Sequence, residues 1–225
     1  MGWTIAASNG SAARAGNTRP RASKVEAPPG GLQEVRHEAE HCTRCHLYKS
    51  ATQTVFGEGP QDARIMFVGE QPGDQEDLAG QPFVGPAGKM LDAALEEAEL
   101  DRSQVYVTNA VKHFKFTPRG KRRIHQKPNM GEIRPCRWWL EHELGIVRPK
   151  LVVALGATAL TALMQRTERL ADFRGRAVAF GDGQQLYTTV HPSYLLRIPD
   201  AGSKQMETAK FVRDMRQIRK LAYPD

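Results

Sequence analysis

Apolar residues in this chain occur in short continuous runs, and the segments between these runs carry apolar residues at helical spacing. Such short apolar runs are typical of strands buried on both faces of a parallel sheet. The pattern predicts strands over residues 65–68, 104–108, 151–155 and 185–190, the last preceded by a hairpin arm over 177–180. Helices are predicted over residues 32–41, 86–98, 129–144, 156–164 and 204–221. This alternation predicts an α/β fold, a three-layer α/β/α sandwich with a central, mostly parallel, four-stranded sheet.

The end of the first predicted strand is the strongest candidate for a functional site. The apolar run stops at Gly69-Glu70-Gln71-Pro72-Gly73, and Glu70 is the one ionisable group directly at the strand end. Ligands bind beyond the carboxyl ends of strands in open α/β sheets, where several strand ends meet. The other strand ends carry Asn109, Gly156 and His191, and Phe83 lies in the loop after the first strand. We therefore expect these side chains to share one site.

Length and composition indicate one domain with an amino-terminal extension. The 225 residues, 25.0 kDa in mass, are enough for one sizeable buried core. Residues 1–31 are rich in Ser, Ala, Gly, Pro and Arg without apolar periodicity, which predicts a disordered extension before a single domain over residues 32–225. No apolar segment approaches the roughly 20 residues of a membrane helix. We expect a soluble protein with no membrane partner.

Positive charge is concentrated in one segment. The net charge is +7, and residues 112–127 contain seven Lys or Arg and no Asp or Glu. This distribution favours an anionic partner such as nucleic acid. Each candidate residue also has an ordinary structural interpretation when taken alone: Glu70 as a helix cap, His191 as a hydrogen-bonded strand-end histidine, and His125 as an exposed histidine of the basic segment.

Cysteine usage favours a metal site in a reducing compartment. Cys42 and Cys45 form a C-x-x-C pair, and Cys136 lies far downstream. An odd number of cysteines without an export signal argues against a disulfide framework. We therefore expect a cytoplasmic protein with metal ligation.

The cysteine spacing is compatible with three kinds of metal site. Cys42-Thr43-Arg44-Cys45-His46 matches the attachment pattern of c-type haem, which normally belongs to an exported setting and is therefore discounted. A zinc site would combine the pair with His37, His41 or His46. An iron-sulfur cluster would need distant ligands, with Cys136 one of them and a residue other than cysteine, such as histidine, as the fourth.

Two nucleotide-binding motifs do not fit the loops after the first strand. Gly85-Pro86-Ala87-Gly88-Lys89 has a shorter glycine spacing than a phosphate loop, and Met90 stands where Ser or Thr would bind magnesium. No G-x-G-x-x-G follows the strand. We therefore do not expect a nucleotide triphosphatase or a dinucleotide enzyme.

Four motifs taken together resemble one enzyme family. In order and spacing they are similar to those of family 4 uracil-DNA glycosylases, and the resemblance extends from about residue 42 to the end. Gln71 and the inserted segment Lys121-Arg122-Arg123-Ile124-His125-Gln126 further resemble UdgX, the subgroup that becomes covalently joined to DNA after excising uracil. The motifs are Gly69-Glu70-Gln71-Pro72-Gly73, Pro82-Phe83-Val84-Gly85-Pro86-Ala87-Gly88, Val107-Thr108-Asn109-Ala110-Val111-Lys112 and His191-Pro192-Ser193.

The resemblance implies the fold of the uracil-DNA glycosylase superfamily and a 4Fe-4S cluster. Ordinary members have Val-Lys-Cys where this chain has Val111-Lys112-His113. The four-cysteine ligand set of the family would therefore become Cys42, Cys45, His113 and Cys136, in which the resemblance, and not the spacing, names His113. A cluster is then favoured over zinc.

The resemblance also implies how uracil and DNA are bound. Phe83 would stack on the base, Asn109 would bond its edge, the backbone around Gln71 would complete the pocket, and His191 would donate to uracil O2. Phosphates would contact the basic segment, in particular Lys121, Arg122 and Arg123, and Leu195 and Leu196 would fill the vacated stack.

The expected reaction is excision of uracil, preferably from single-stranded DNA, followed by capture of the sugar. His125 would attack C1′ in place of water, Glu70 would orient the imidazole, and free uracil would be released by a monomer that acts once. One alternative is an ordinary hydrolytic family 4 glycosylase with multiple turnovers. An alternative of a different class is a non-catalytic DNA-binding module with a structural metal.

Overall fold

The computed structural model describes residues 31–181 and 183–224. The predicted extension over residues 1–31 lies outside the described residues except for Gly31, which begins the first helix. Seven strands form within the described ranges. They are β1 (Ile65–Gly69), β2 (Tyr106–Asn109), β3 (Phe116–Arg119), β4 (Arg122–His125), β5 (Leu151–Leu155), β6 (Ala177–Phe180) and β7 (Gln184–Thr189).

The central sheet has five strands in the order β2-β1-β5-β7-β6, and the first four of these are parallel. The prediction of four strands was wrong by one. The arm over 177–180 pairs antiparallel with β7 along its whole length, from Ala177 opposite Tyr187 to Phe180 opposite Gln184, and so extends the sheet as an edge strand. The mostly parallel α/β prediction is confirmed.

Helices cover both faces of the central sheet. Within the described residues, none is long and apolar enough to cross a membrane. The helices are α1 (Gly31–Glu40), α2 (Asp74–Ala79), α3 (Pro86–Glu97), α4 (Met130–Val147), α5 (Ala157–Met164), α6 (Leu170–Phe173), α7 (Pro192–Leu196) and α8 (Ala201–Ala222). The sequence pattern did not predict the short helices α2, α6 and α7.

The core consists of two layers, one on each face, because successive side chains of a strand point to opposite sides. Met66 and Val68 of β1 belong to the layer with α1, α4 and α5, whereas Ile65 and Phe67 belong to the layer with α3 and α8. All four of these side chains are buried. The three-layer prediction is therefore confirmed.

Most of the basic segment forms a β-hairpin, which the sequence pattern did not predict. Strands β3 and β4 pair antiparallel, with Phe116 opposite His125, and they form a separate two-stranded sheet. The turn begins with Gly120 at φ 58°, a left-handed conformation that glycine adopts without strain. The hairpin carries His125 at the end of its second strand.

Candidate active site

The ends of three parallel strands converge on one edge of the central sheet. Gly69, the last residue of β1, lies opposite Asn109, the last residue of β2, and Glu70 follows directly. His191 follows β7 and is the N-cap residue of α7. The structure therefore brings the predicted strand-end residues together, as the parallel topology requires.

Glu70 connects the central sheet to the hairpin. Its Oε1 lies 3.3 Å from Nε2 of His125, and its Oε2 accepts a hydrogen bond from the hydroxyl of Thr158 in α5. A carboxylate held by one partner and placed against an imidazole can orient the ring and stabilise a positive charge on it. Glu70 and His125 therefore form a carboxylate–imidazole pair.

Gln71 closes the base of the hairpin. Its amide nitrogen donates to the carbonyl oxygens of Lys115 and Gln126, both at 3.1 Å, and its amide oxygen accepts from the backbone N–H of Lys115 at 3.2 Å. These two residues are themselves paired, because the N–H of Gln126 donates to the carbonyl of Lys115. His125 precedes Gln126, so these bonds fix the position of the imidazole.

Arg123 anchors the hairpin to α2. Its guanidinium lies 2.6 Å from Asp74 and 2.5 Å from Asp77, whose carboxylate also accepts bonds from Thr52. The predicted role of Arg123 in phosphate binding is therefore secondary to this ion-pair network. Lys121 and Arg122 are exposed near the tip of the hairpin, so their charged groups are accessible from solvent.

Lys112 is part of the buried core and cannot contact DNA phosphates, although it belongs to the basic segment. Its ammonium lies 2.5 Å from Glu143, and both side chains are 0% exposed. Glu143 also accepts bonds from Tyr106, Thr108 and the N–H of Gly57. The ammonium donates as well to the carbonyl of Asn109 at 2.9 Å, so this network supports the end of β2.

Phe83 and Asn109 line a cavity of about 380 Å³, together with His191, His125 and Gln71. The absence of a side chain at Gly69 makes this arrangement possible. A Cβ there would lie 2.4 Å from Oδ1 of Asn109 and 2.7 Å from Cζ of Phe83. An aromatic ring and an amide at one wall can stack on a planar base and bond its edge.

His191 is held as a single tautomer. Its Nδ1 accepts a hydrogen bond from the backbone N–H of Ser193 at 3.2 Å, so the ring proton must be on Nε2. Burial lowers the pKa of His191 from 6.5 to about 4, and the charges of Arg197 and His125 act in the same direction. His191 is therefore a neutral imidazole that can donate a hydrogen bond through Nε2.

His125 is also biased toward the neutral form. Burial lowers its pKa, the neighbouring Glu70 carboxylate offsets part of this effect, and Arg197 lowers the pKa further. The ring lies 6.1 Å from that of Phe114, which packs beneath it. A neutral imidazole has an unprotonated nitrogen, as a nucleophile requires.

The two leucines after His191 have different environments. Leu195 is 0% exposed and packs in the core, so the prediction that it enters the base stack was wrong for this residue. Leu196 is 38% exposed and lines the Phe83 cavity. Leu196 therefore remains the candidate wedge.

The three cysteines and His113 are all buried. Cys42, Cys45 and Cys136 are free and belong to one core layer. The indole of Trp139 donates to Sγ of Cys42, and the backbone N–H of Lys112 donates to Sγ of Cys136, each at 3.0 Å. Burial raises the pKa of the Cys136 thiol to about 12, so metal binding has to displace its proton.

His113 has a free ligand atom inside the protein. Its Nε2 lies 2.9 Å from the hydroxyl of Thr54, whereas its Nδ1 is buried without a hydrogen-bond partner. A buried polar atom that lacks a partner needs an explanation, and a metal ligand is one. Burial also lowers the pKa of His113, which favours the neutral form that binds metals.

Other features bear on both metal alternatives, the cluster and zinc. Among the described residues, no three His, Cys, Asp or Glu side chains converge in a geometry that could hold a metal ion. His37 pairs with Glu40 at 3.3 Å, and its ring lies 6.0 Å from that of His41. His46 instead lies 3.4 Å from Glu132.

Comparison with known proteins identifies the family. Residues 56–216, well over half of the chain, match the family described as the uracil DNA glycosylase superfamily. The chain belongs to the uracil-DNA glycosylase superfamily.

Curated relatives agree with this assignment. The chain is 38% identical over 167 residues to a type-4 uracil-DNA glycosylase of Thermotoga maritima, an alignment that spans 74% of this chain and 83% of the relative. It is 36% identical over 188 residues to a type-4 enzyme of Pyrobaculum aerophilum, with 80% and 92% covered. A type-4 enzyme of Sulfurisphaera tokodaii is 32% identical over 192 residues, with 82% and 84% covered.

Several residues at the site of this superfamily member were not predicted. Thr158 follows the end of β5 by three positions, so a systematic look at strand ends would have found it. Asp74 and Asp77 follow the Glu70 loop, but nothing in the local sequence connects them to Arg123, which is 46 to 49 residues away. Arg197 gave no signal in the sequence.

Proposed function

We propose that this protein excises uracil from DNA, preferably single-stranded DNA, and is then captured covalently at C1′ of the sugar through His125, as in the UdgX subgroup. The single observation that carries the proposal is the 3.3 Å approach of Glu70 to His125, a residue that lines the cavity of Phe83 and Asn109. The type-4 names of the relatives support the excision step.

Base recognition uses the wall of the smaller cavity. Uracil leaves the base stack, at a cost of a few kcal/mol that is lower on single strands. Phe83 stacks on the ring, Asn109 bonds its edge, and the backbone around Gln71 completes the pocket. The Gln71 amide is already occupied by the hairpin, which supports the assignment of its backbone to this role.

His191 stabilises the leaving group. The N-glycosidic bond breaks with its electron pair on the uracil, and negative charge develops on O2. Because Nδ1 of His191 accepts from Ser193, Nε2–H is directed as a donor to that oxygen. A donor of this kind is typically worth about 3 to 4 kcal/mol in the transition state.

His125 then bonds to the sugar. Loss of uracil leaves an electrophilic sugar cation, and the unprotonated nitrogen of the imidazole attacks C1′ to form a C–N bond. The ring becomes a cation, which the Glu70 carboxylate stabilises, and the uracil anion takes a proton from water. With no second nucleophile positioned at C1′, the adduct persists and the protein acts once.

DNA contacts surround this centre. Lys121 and Arg122 hold phosphates, with Arg123 contributing its charge from within its ion-pair network. Leu196 occupies the space of the extruded base. These contacts need no base pairing, which supports a preference for single strands.

We also propose a 4Fe-4S cluster held by the buried cysteines and His113. Cys42, Cys45, Cys136 and Nδ1 of His113 would hold it, and the N–H donors of Trp139 and Lys112 would bond ligand sulfurs. When bound, the cluster supplies a cross-link between the loop of Cys42, the end of β2 and α4. Free cysteines support a reducing, cytoplasmic setting for the monomer.

Denaturing gels test the proposal directly. Wild-type protein incubated with a uracil-containing single strand should give a heat-stable protein-DNA adduct, and a thymine strand of the same sequence should not. His125→Ser should abolish the adduct while excision by water persists. A clean abasic product with turnover would reject UdgX in favour of an ordinary family 4 enzyme. Salt-sensitive binding indifferent to uracil would support a non-catalytic module.

A further inference from the structure

A second, larger cavity adjoins the proposed uracil pocket. It measures about 660 Å³, against about 380 Å³ for the cavity of Phe83 and Asn109. Gln71, His125, His191 and Ser193 line both cavities, so they form the boundary between them. The volume of the larger cavity is more than the excised base alone would occupy.

The lining of the larger cavity combines an apolar floor with cations. Leu155 and Val190 form part of the floor and are buried. The cations are Lys127, Arg174 and Arg197. Arg197 donates to the hydroxyl of Ser193 at 3.2 Å.

Two side chains of this lining have groups available for a ligand. Arg174 lies 2.8 Å from Glu207 through Nη1, whereas its buried Nη2 has no hydrogen-bond partner. Tyr194, although aromatic, is 43% exposed. Exposed aromatic rings beside cations are typical of surfaces that bind single-stranded nucleic acid, on which unpaired bases stack.

We propose that the larger cavity binds the nucleotide next to the deoxyuridine on the same strand, with its base against Tyr194 and its phosphate near Arg197 and Arg174. The inference rests on the proposed function, because uracil in the smaller cavity places the sugar at His125. The DNA strand then has to continue past His125 on the side of the larger cavity. Charge complementarity and continuity with the uracil pocket both favour this occupant. It also extends the preference for single strands, since a paired base could not stack on Tyr194.

Equilibrium binding of wild-type protein provides the test. The probes are fluorescent single strands that contain 2′-fluoro-2′-deoxyuridine, whose fluorine disfavours the sugar cation and so prevents excision. One neighbouring nucleotide, on the 5′ or the 3′ side, is replaced by an abasic spacer. We expect the spacer to raise Kd about tenfold on one side and less than twofold on the other, as the loss of one stacked base predicts.

Two variants test whether the effect of the spacer on Kd arises in the larger cavity. Tyr194→Ala should reduce the spacer effect to less than twofold. Tyr48→Ala, which changes an equally exposed tyrosine (40%) outside both cavities, should leave it at about tenfold. Equal Kd values with either spacer, or a full spacer effect in Tyr194→Ala, would overturn the inference. Adduct formation on ordinary deoxyuridine strands is measured separately. A spacer effect without any adduct would reject covalent capture and support the cavity assignment.

Discussion

Glu70 and His125 are held by two different sheets, and their contact is made by their side chains. Glu70 follows β1 of the central sheet, His125 ends β4 of the hairpin, and Oε1 lies 3.3 Å from Nε2. The central sheet thus supplies the charge, and the hairpin supplies the imidazole. Each half of the pair can be altered without removing the other.

Removing the charge of Glu70 should slow covalent capture. Glu70→Gln keeps the size of the side chain but cannot stabilise a cationic ring or sugar, so we expect adduct formation to slow by about 100-fold or more. Thr158→Val removes only the hydrogen bond to Glu70 and should cost about fivefold. The measurement is the single-turnover rate on denaturing gels. Glu97→Gln, an exposed change on α3, is the control, and a wild-type rate in Glu70→Gln would contradict the assignment.

Loosening the hairpin should change the ratio of covalent adduct to hydrolysed product more than it changes the rate of uracil excision. Gln71→Ala removes all three bonds to Lys115 and Gln126, so His125 is no longer fixed and water competes for C1′. We expect the ratio of adduct to free abasic product to fall by at least about fivefold, which corresponds to the loss of one bond worth about 1 kcal/mol. Both products are quantified on one gel, with Gln217→Ala as the control. An unchanged ratio would show that Gln71 does not position the nucleophile.

The pH dependence of capture should follow the protonation of His125. Its pKa lies below 6.5, so the neutral nucleophile predominates at pH 7 and the rate should be flat from pH 8 to about 6.5, then fall in acid. His191, with a pKa of about 4, stays neutral above pH 5 and does not contribute to that decrease. Single-turnover rates between pH 5 and 8 provide the test. A rate that rises as the pH falls would mean that capture needs a protonated histidine.

The same histidine shifts predict a loss of stability in acid. In the unfolded chain His191 titrates near 6.5, whereas in the folded protein it titrates near 4. The unfolded state therefore binds more protons between these values, and the free energy of unfolding falls as the pH drops through this window. Urea denaturation at pH 7 and pH 5 measures the difference. His191→Asn should reduce it.

The ligand at position 113 can be tested by exchange with cysteine. His113→Cys should retain iron and sulfide, because it restores a fourth thiolate, whereas His113→Ala should lose both. Purified wild-type protein should be brown. Iron, zinc and acid-labile sulfide are assayed together with the visible spectrum, and zinc without sulfide would restore the zinc interpretation.

The buried pair of Lys112 and Glu143, next to the carboxyl end of β2, should contribute strongly to the free energy of unfolding. Lys112→Met leaves an uncompensated charge in the core and should cost about 3–5 kcal/mol in the free energy of unfolding. The double variant with Glu143→Gln keeps acceptors for Tyr106 and Thr108 and should recover most of that loss. Lys210→Met, at a surface pair with Glu207, should cost at most about 1 kcal/mol. Urea titrations compare the three, and an additive double variant would argue against coupling.

The central sheet could be predicted from the sequence, and the hairpin could not. Continuous apolar runs give β1 and β5, because strands buried on both faces are mostly apolar, whereas only Leu186 and Tyr187 supply apolar side chains within β7. Strands β3 and β4 are largely exposed, so polar and charged residues outnumber apolar ones, and no regular apolar alternation marks them as strands. The strand ends follow from topology, which is why Glu70, Asn109 and His191 were identified together.

Pairings over long sequence distances could not be predicted. The sequence shows that residues 112–127 are basic, but not that Lys112 is buried against Glu143 while Arg123 binds Asp74 and Asp77. Leu195 and Leu196 are likewise indistinguishable by residue type, and only the rotation of α7 buries one and exposes the other. Such choices depend on packing in three dimensions.

The separation of the hairpin from the central sheet has an evolutionary consequence. Because β3 and β4 form no ladder with the other five strands, a length change between β2 and α4 leaves the register of the sheet intact. Phe83, Asn109 and His191, which would recognise the base, all lie outside the hairpin. The proposed capture step could therefore be altered by a change in the hairpin alone, without altering the groups that would bind uracil.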